Sequence, residues 1–306
     1  MAEEILLESG TNEAEFLEFY LGEQSFGVNV AKIVQIIQFL PESLTVIPNG
    51  PDSLLGSYLW RGQTVDLIDL NMALFRTEKQ EGERDVVLVT TFNDIITAFY
   101  INGVNRIHRA NWEQIQSMDQ LLSNYNPRFT GTLVISGKNI LLVDFEKLVF
   151  ELNPDLEKVD GTGIIEEQEL QKIRNGKTIL FAEDSGFIRK NITRFLKRAG
   201  YNVLPFENGQ KAFDAIQQYI REAQKSGIKF SDKYHALLTD IEMPQMDGLT
   251  LCRHVKKKMK LDIPVLIFSS LIDEQMKVKC QDVGADNYIA KPRTPEMIQL
   301  VDKLVL

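Results

Sequence analysis

The hydrophobic pattern changes character once along the 306-residue chain. In the first half, apolar residues come in short runs: "EFLEFYL" (15–21), "SFGVNV" (25–30), "LTVI" (44–47), "VVLVTT" (86–91), "IITAFYI" (95–101) and "ILLVDF" (140–145). These runs are rich in β-branched and aromatic side chains. Gly, Asn, Asp and Pro separate them, the pattern of strands joined by tight turns. The stretch "AKIVQIIQFL" (31–40) predicts a short helical turn running into a strand. From residue 176 the pattern alternates instead. "KTILFAEDS", "YNVLPF", "YHALLTD", "PVLIFSS" and "NYIAKP" read as strands. A helically spaced segment follows each: "GFIRKNITRFLKRAG", "NGQKAFDAIQQYIREAQKSG", residues 247–260, residues 272–283 and a last one from Pro295. Five such βα units in about 130 residues predict a parallel sheet with helices on both faces. Between the halves, "NPDLEKVDGTGIIEEQELQKIRN" (153–175) carries Pro, Gly and many acids with weak periodicity. It reads as an acidic linker in which "EEQELQKI" has the composition of a short exposed helix.

The first half repeats itself. "GSYLWRGQTVDLIDL" (56–70) and "GTLVISGKNILLVDF" (131–145) align without a gap at an offset of 75, matching Gly56 with Gly131, Gly62 with Gly137 and Asp69 with Asp144. The preceding hairpins correspond as well, "VNVAKIVQI" resembling "FYINGVNRI" at an offset near 71. A repeated strand–Gly turn–strand–Asp unit predicts two similar small β-barrels side by side, whose closure removes exposed edges.

Composition narrows the functional classes. Hydrophobic residues at 44 % and charged residues at 25 % are those of an ordinary globular protein. A formal charge of −9 argues against a nucleic-acid-binding surface, which needs clustered Lys and Arg. The one basic cluster, "RHVKKKMK" (253–260), reads as a solvated helix end. The two cysteines, Cys252 and Cys280, lie in helical patterns, and the three histidines are scattered, so neither a disulfide nor a zinc site is expected. The N-terminus lacks the order of a signal peptide, and no apolar run has the length of a membrane span. The expectation is a cytoplasmic protein with a flexible tail over 1–14 and no direct membrane insertion.

Chemistry concentrates at the strand ends of the second half. Strand one ends in Glu183-Asp184, strand three in Asp240, strand four in Ser269-Ser270 and strand five in Lys291-Pro292. Parallel strands bring these ends to one rim, where open α/β sheets bind ligands. Three neighbouring carboxylates repel one another without a cation, and hard oxygen donors in an incomplete shell suit Mg²⁺. Asp240 is then placed as a nucleophile toward phosphorus, with Lys291 and the metal neutralising phosphoryl oxygens and Ser269 donating a hydrogen bond.

The motifs "AEDS", "LTDIEMPQMDG", "FSS" and "AKP" resemble those of the receiver domains of two-component response regulators, over residues 176–306. The resemblance implies a flavodoxin-like, doubly wound five-stranded parallel sheet. It makes Asp240 the phosphoacceptor, and Glu183, Asp184, Asp240 and the backbone carbonyl of Glu242 the Mg²⁺ site. Lys291 and Ser269 would contact the phosphoryl group, and Ser269 and Tyr288 would form the switch that remodels the face of the fourth helix, fifth strand and last helix. One departure is the long segment "QKSGIKFSDKYH" before the third strand.

The first half shows no nucleophile–base pair, metal spacing or phosphate loop. Its "FYLGEQSFGVNVAKIVQII" and "IPNGPDSLLGSYLWRGQTVDLIDL" resemble the CheW-type coupling domain over residues 15–152, a fold of two joined five-stranded barrels. Together the halves resemble CheV-type chemotaxis proteins. That implies an adaptor, not an enzyme beyond its own phosphorylation and dephosphorylation, binding methyl-accepting chemoreceptors and a CheA-type histidine kinase at membrane-associated arrays. Arg61 is the partner-binding candidate, with a structural pin as the competing role. Leu59-Trp60 stands where the family often has Asn or Asn-Leu before Arg-Gly, and Trp60 reads either as an interior side chain or as a contact. A phosphate sink that drains the kinase is the alternative, in which Glu242 and Ser270 tune hydrolysis at Asp240. A transcription factor is disfavoured by the acidic charge and the missing helix-turn-helix. A kinase is disfavoured by the missing ATP signature.

Overall fold

The computed structural model describes residues 12–48, 50–77, 85–92, 95–118, 126, 128–135, 137–152, 168–270, 274–291 and 294–306. The chain divides into two compact units, one of residues 14–110 and 117–154, the other of residues 155–306 with the short pieces 1–13 and 111–116. Parts of the expected tail (1–11) and linker (153–167) lie outside the described residues.

The first half is built from strands β1 (Glu13–Leu21), β2 (Gln24–Asn29), β3 (Ile33–Gln38), β4 (Leu44–Thr45), β5 (Leu54–Trp60), β6 (Gln63–Asp69), β7 (Val86–Phe92), β8 (Ile95–Ile101), β9 (Gly103–Asn111), β10 (Ile115–Ser117), β11 (Phe129–Ile135) and β12 (Lys138–Val143). Helices α1 (Leu70–Phe75) and α2 (Phe145–Leu152) follow β6 and β12. The expected turn before β3 is a 3₁₀ turn at Val30–Lys32.

Two six-stranded sheets result, in the orders β10-β11-β12-β2-β1-β9 and β4-β5-β6-β8-β7-β3. Written this way they match position by position, so the sequence repeat is a structural repeat. Each expected five-stranded barrel gains a short sixth strand, β10 or β4, of 3 and 2 residues. The copies also exchange a strand: β3 leaves β2 for the other sheet, and β9 leaves β8 for the first. The repeated residues do the same work in both copies. Gly62 and Gly137 both take φ of +78° in the hairpin turns, a conformation that L side chains resist. Asp69 accepts from the Met72 N–H at 3.1 Å and Asp144 from the Lys147 N–H at 2.9 Å, each capping the helix that follows. Phe145 at the start of α2 is fully buried, edge-on to Phe99 at 4.7 Å and stacked with Phe92 at 6.4 Å.

Glu18 on β1 is 2 % exposed. It accepts from Lys138 Nζ at 2.6 Å and Asn105 Nδ2 at 2.9 Å, and pairs with His108 Nε2 at 2.8 Å. Burial alone would raise this carboxyl. The hydrogen bonds from Lys138, His108 and Asn105 outweigh it and hold the pKa at about 2, against an ordinary 4.5. Because the folded value is the lower one, the unfolded chain takes up the proton first as pH falls. The stabilisation is complete above pH ~4.5 and is lost as pH drops toward ~2. A gap of that size corresponds to about 3 kcal/mol. Glu18→Gln is therefore expected to lose about 3 kcal/mol in urea unfolding at neutral pH, with the deficit shrinking between pH 4.5 and 3. A deficit that stays constant over that range would assign it to shape and not to charge.

The second half forms β13 (Thr178–Ala182), β14 (Asn202–Phe206), β15 (Ala236–Thr239), β16 (Val265–Ser269) and β17 (Asn287–Ala290). These make one all-parallel sheet in the order β14-β13-β15-β16-β17. The helices are α3 (Gln168–Arg174), α4 (Gly186–Arg198), α5 (Gly209–Ser226), α6 (Gly248–Arg253), α7 (Glu274–Val283) and α8 (Thr294–Val305). The expected helix over 247–260 continues past α6 as a π turn, His254–Lys258. There Lys256 pairs with Asp286 at 2.9 Å and Lys258 Nζ meets His254 Nε2 at 2.9 Å, so much of the basic cluster is satisfied locally. Cys252 and Cys280 are free and buried, and burial pushes both thiols up to about 12. The long segment after α5 is ordered by a 3₁₀ turn at Phe230–Asp232 and by Tyr234 stacked on Tyr219 at 4.6 Å.

Part of the stretch read as linker belongs to this half. Arg174 at the end of α3 is 5 % exposed. It grips Asp302 of α8 through Nε at 2.8 Å and Nη2 at 2.5 Å, and donates to the Ala199 carbonyl at 3.1 Å. The fork-to-fork pair gives a polar segment a fixed seat. Tyr201 completes the cluster, its hydroxyl 2.5 Å from Asp302 Oδ1.

Candidate functional site

Strand register delivers the site. Ala182 of β13 lies beside Thr239 of β15, so the next residues, Glu183 and Asp240, emerge side by side. Ser269, the last residue of β16, pairs with Ala290, and its carbonyl accepts from the Lys291 N–H at 3.1 Å. All four strands run the same way, so these ends share one rim.

Carboxylate oxygens of Glu183, Asp184 and Asp240 lie within 4.8 Å of one another. Glu183 is fully buried, Asp240 is 3 % exposed and Asp184 is half-buried. Lys291, 2 % exposed, places Nζ 2.8 Å from Glu183 Oε2 and 2.9 Å from Asp240 Oδ2. The same ammonium lies 5.9 Å from the Phe268 ring centroid. Asp240 is fixed from its own backbone: Oδ1 accepts the Ile241 N–H at 2.7 Å, while its carbonyl accepts from Thr239 Oγ1 at 2.9 Å. Ser185 N–H donates to Glu183 Oε1 at 3.2 Å, and the buried Ser185 Oγ makes no hydrogen bond.

The donor set fits a hard divalent cation. Three carboxylates meet one ammonium, an excess of negative charge in a largely buried place, where an uncompensated charge is costly. All-oxygen donors of this kind suit Mg²⁺.

The sequence-predicted residues take up the following places. Glu183, Asp184, Asp240 and Lys291 come together. Ser269 is fully buried at the end of β16, and Ser270 follows it half-buried. Glu242 is 6 % exposed in the loop after Asp240. Tyr288 is half-buried on β17, against the core beneath the sheet. Pro292 lies outside the described residues. Far along the chain, Arg61 is exposed in the β5–β6 hairpin turn, with φ of +50° and its guanidinium 4.9 Å from the Trp60 ring centroid. Trp60 itself is an interior residue, 6 % exposed, donating from Nε1 to Gln35 Oε1 at 3.1 Å.

Sequence reasoning missed Arg189. From the first turn of α4 its Nη1 donates to the carbonyls of Glu183 at 2.5 Å and Asp184 at 3.0 Å. The signal was available: a cation in the first turn of a helix opposes the macrodipole, so it calls for a compensating partner.

Comparison with known proteins agrees with both halves. The model of the CheW-like domain matches residues 15–152, and that of the response regulator receiver domain matches residues 179–302. The chain is 26 % identical to the chemotaxis protein CheV3 of Helicobacter pylori, over 99 % of each chain. It is 26 % identical to CheV1 of the same organism, over 96 % of this chain and 94 % of that one. The chemotaxis protein CheW of Klebsiella aerogenes is 29 % identical over 43 % of this chain and 81 % of its own. With a CheW-like domain followed by a receiver domain, and CheV proteins matched along nearly its whole length, the chain belongs to the CheV-type chemotaxis proteins.

Proposed function

We propose that this protein is a chemotaxis coupling adaptor whose coupling is set by phosphorylation of Asp240. One observation carries the reading: a buried aspartate at a parallel-strand end, 2.9 Å from a buried lysine and inside a carboxylate cluster, in a chain whose other half matches a CheW-like domain. In that reading residues 15–152 bind the chemoreceptors and a CheA-type histidine kinase, in the cytoplasm at receptor arrays. Among the described residues, no helix is long and apolar enough to cross a membrane. The receiver takes in α3, so its start moves from residue 176 to about residue 168, because the Arg174–Asp302 pair ties that helix to α8.

Asp240 is the nucleophile. Its carboxylate attacks the phosphorus of a phosphohistidine on the kinase, the P–N bond breaks, and the imidazole nitrogen takes up a proton. Glu183, Asp184, Asp240 and the Glu242 carbonyl would hold Mg²⁺, which would supply charge neutralisation at the phosphoryl oxygens. Lys291 transfers its ammonium from Asp240 to a phosphoryl oxygen, and the Ser269 hydroxyl donates to another. The turn of Ser269 is followed inward by Tyr288, which shifts the population of two arrangements of the face formed by α7, β17 and α8. Glu242 and Ser270 flank the site and govern water access, hence the lifetime of the phosphoryl group. Arg61 contributes through Trp60, over which it stacks, or by meeting an acidic partner.

The test is kinase autophosphorylation in receptor-containing membranes with a CheA-type kinase, adding wild type or Asp240→Ala. The adaptor reading expects both proteins to raise kinase output, to different extents. If neither raises it while wild type alone drains label from the kinase, the protein is a phosphate sink and the first half is its anchor.

A further inference from the structure

Arg189 stands in an unusual relation to the acidic site. It belongs to the first turn of α4, yet its side chain folds back past the helix start. One nitrogen, Nη1, bridges the two carbonyls that precede the helix, those of Glu183 and Asp184. These are the residues whose carboxylates meet Asp240 within 4.8 Å. Two successive peptide planes are thereby tied to one guanidinium. With their carbonyls held, the Cα–Cβ directions of Glu183 and Asp184 are held as well.

Charge acts on this residue in two opposed ways: the carboxylates attract a guanidinium, yet the guanidinium competes with the cation they would hold. A guanidinium beside a cluster built to receive a cation repels that cation, and at the positive end of a helix it gains nothing from the dipole. What offsets those costs is geometric: charge-assisted hydrogen bonds from one guanidinium nitrogen to the two successive carbonyls that precede the helix. We propose that Arg189 is a positioning residue for the metal site, fixing the β13–α4 turn so that the Glu183 and Asp184 carboxylates face Asp240. The inference rests on the metal-binding reading above and assigns Arg189 to orientation of the donors, not to contact with the ion or the phosphoryl group.

The two roles of the guanidinium predict opposite signs. If its charge dominated, Arg189→Met would tighten divalent-cation binding, by removing a repelling neighbour. If orientation dominates, binding weakens, and loss of groups that orient metal ligands commonly costs about 10–100-fold in affinity. The experiment titrates the full-length chain with Mn²⁺, an oxygen-seeking stand-in for Mg²⁺, and counts the free ion by its electron paramagnetic resonance signal. Metal-free melting is recorded for each protein.

For Arg189→Met the expectation is a dissociation constant raised about 10-fold, with metal-free melting close to wild type. Arg189→Gln, polar but too short to reach both carbonyls, is expected to behave alike and decides the matter if the Met variant does not fold. Binding that is unchanged or tighter overturns the assignment, as does a loss no larger than the unfolded fraction explains. If wild type itself takes up no Mn²⁺, the metal-site reading fails, a separate result visible before any variant is compared.

Discussion

Asp240→Asn is expected to take up no phosphoryl group from acetyl phosphate, while wild type becomes labelled under the same conditions. The amide matches the carboxylate in size and keeps an oxygen for the Ile241 N–H, now 2.7 Å from Oδ1, so the loop is retained. On the proposed reading, what disappears is the anionic oxygen that attacks phosphorus. Stability moves the other way. Removing one of three crowded carboxylates relieves repulsion, and Lys291 keeps Glu183 as its partner, so metal-free melting should equal or exceed wild type. Label on the Asn variant would place the phosphoacceptor elsewhere. Loss of label together with loss of folding would show that Asp240 is needed for structure.

That the acids and the lysine meet was legible from residue type and from their place at strand ends. An aspartate closing an apolar strand gains nothing from packing, and parallel strands bring such ends together. The internal repeat was legible for a related reason. A φ of +78° at Gly62 and Gly137 and a capping carboxylate at Asp69 and Asp144 are local demands met by few residue types. They survive in the sequence when the apolar side chains around them drift.

Partner choice between distant segments was not legible. The pattern of β3 and β9 says strand, but nothing in either says that each crosses to the other sheet. That is settled by which edges remain open once the nearer hairpins have paired. The same holds for α3. Its sequence is charged and weakly periodic, and its seat depends on Arg174 meeting Asp302, 128 residues away. Trp60 was open between interior and surface. The Gln35 side chain that satisfies its indole N–H at 3.1 Å lies on a strand that is not adjacent to its own. Arg189 escaped notice because its partners are backbone carbonyls, which carry no residue identity.

Gly248→Ala should be among the most damaging single substitutions in the second half. Gly248 opens α6, and its N–H donates to the Ile241 carbonyl at 2.8 Å. A Cβ there would sit 1.8 Å from the Asp240 carbonyl oxygen, 2.8 Å from its carbon and 3.1 Å from Thr239 Oγ1. Those atoms are backbone and a hydrogen-bonded hydroxyl, so no flexible side chain can swing aside. Either the helix moves outward or the Asp240 peptide turns, and the second choice breaks the bond from Thr239 at 2.9 Å. The cost is steric, and overpacking of this severity is expected to reach about 3–5 kcal/mol. Gly62→Ala supplies the contrast, since nothing lies within 4 Å of its added Cβ and only its φ of +78° is unfavourable, a penalty of about 1–2 kcal/mol. Urea unfolding of the full chain, with acetyl phosphate labelling of the folded protein, separates the two. Gly248→Ala should unfold its half of the chain early and label poorly even where folded, because the displaced peptide carries the proposed phosphoacceptor. A wild-type midpoint and labelling rate would mean that the loop yields by more than an ångström without cost. The close approach of helix to aspartate would then have no part in setting the site.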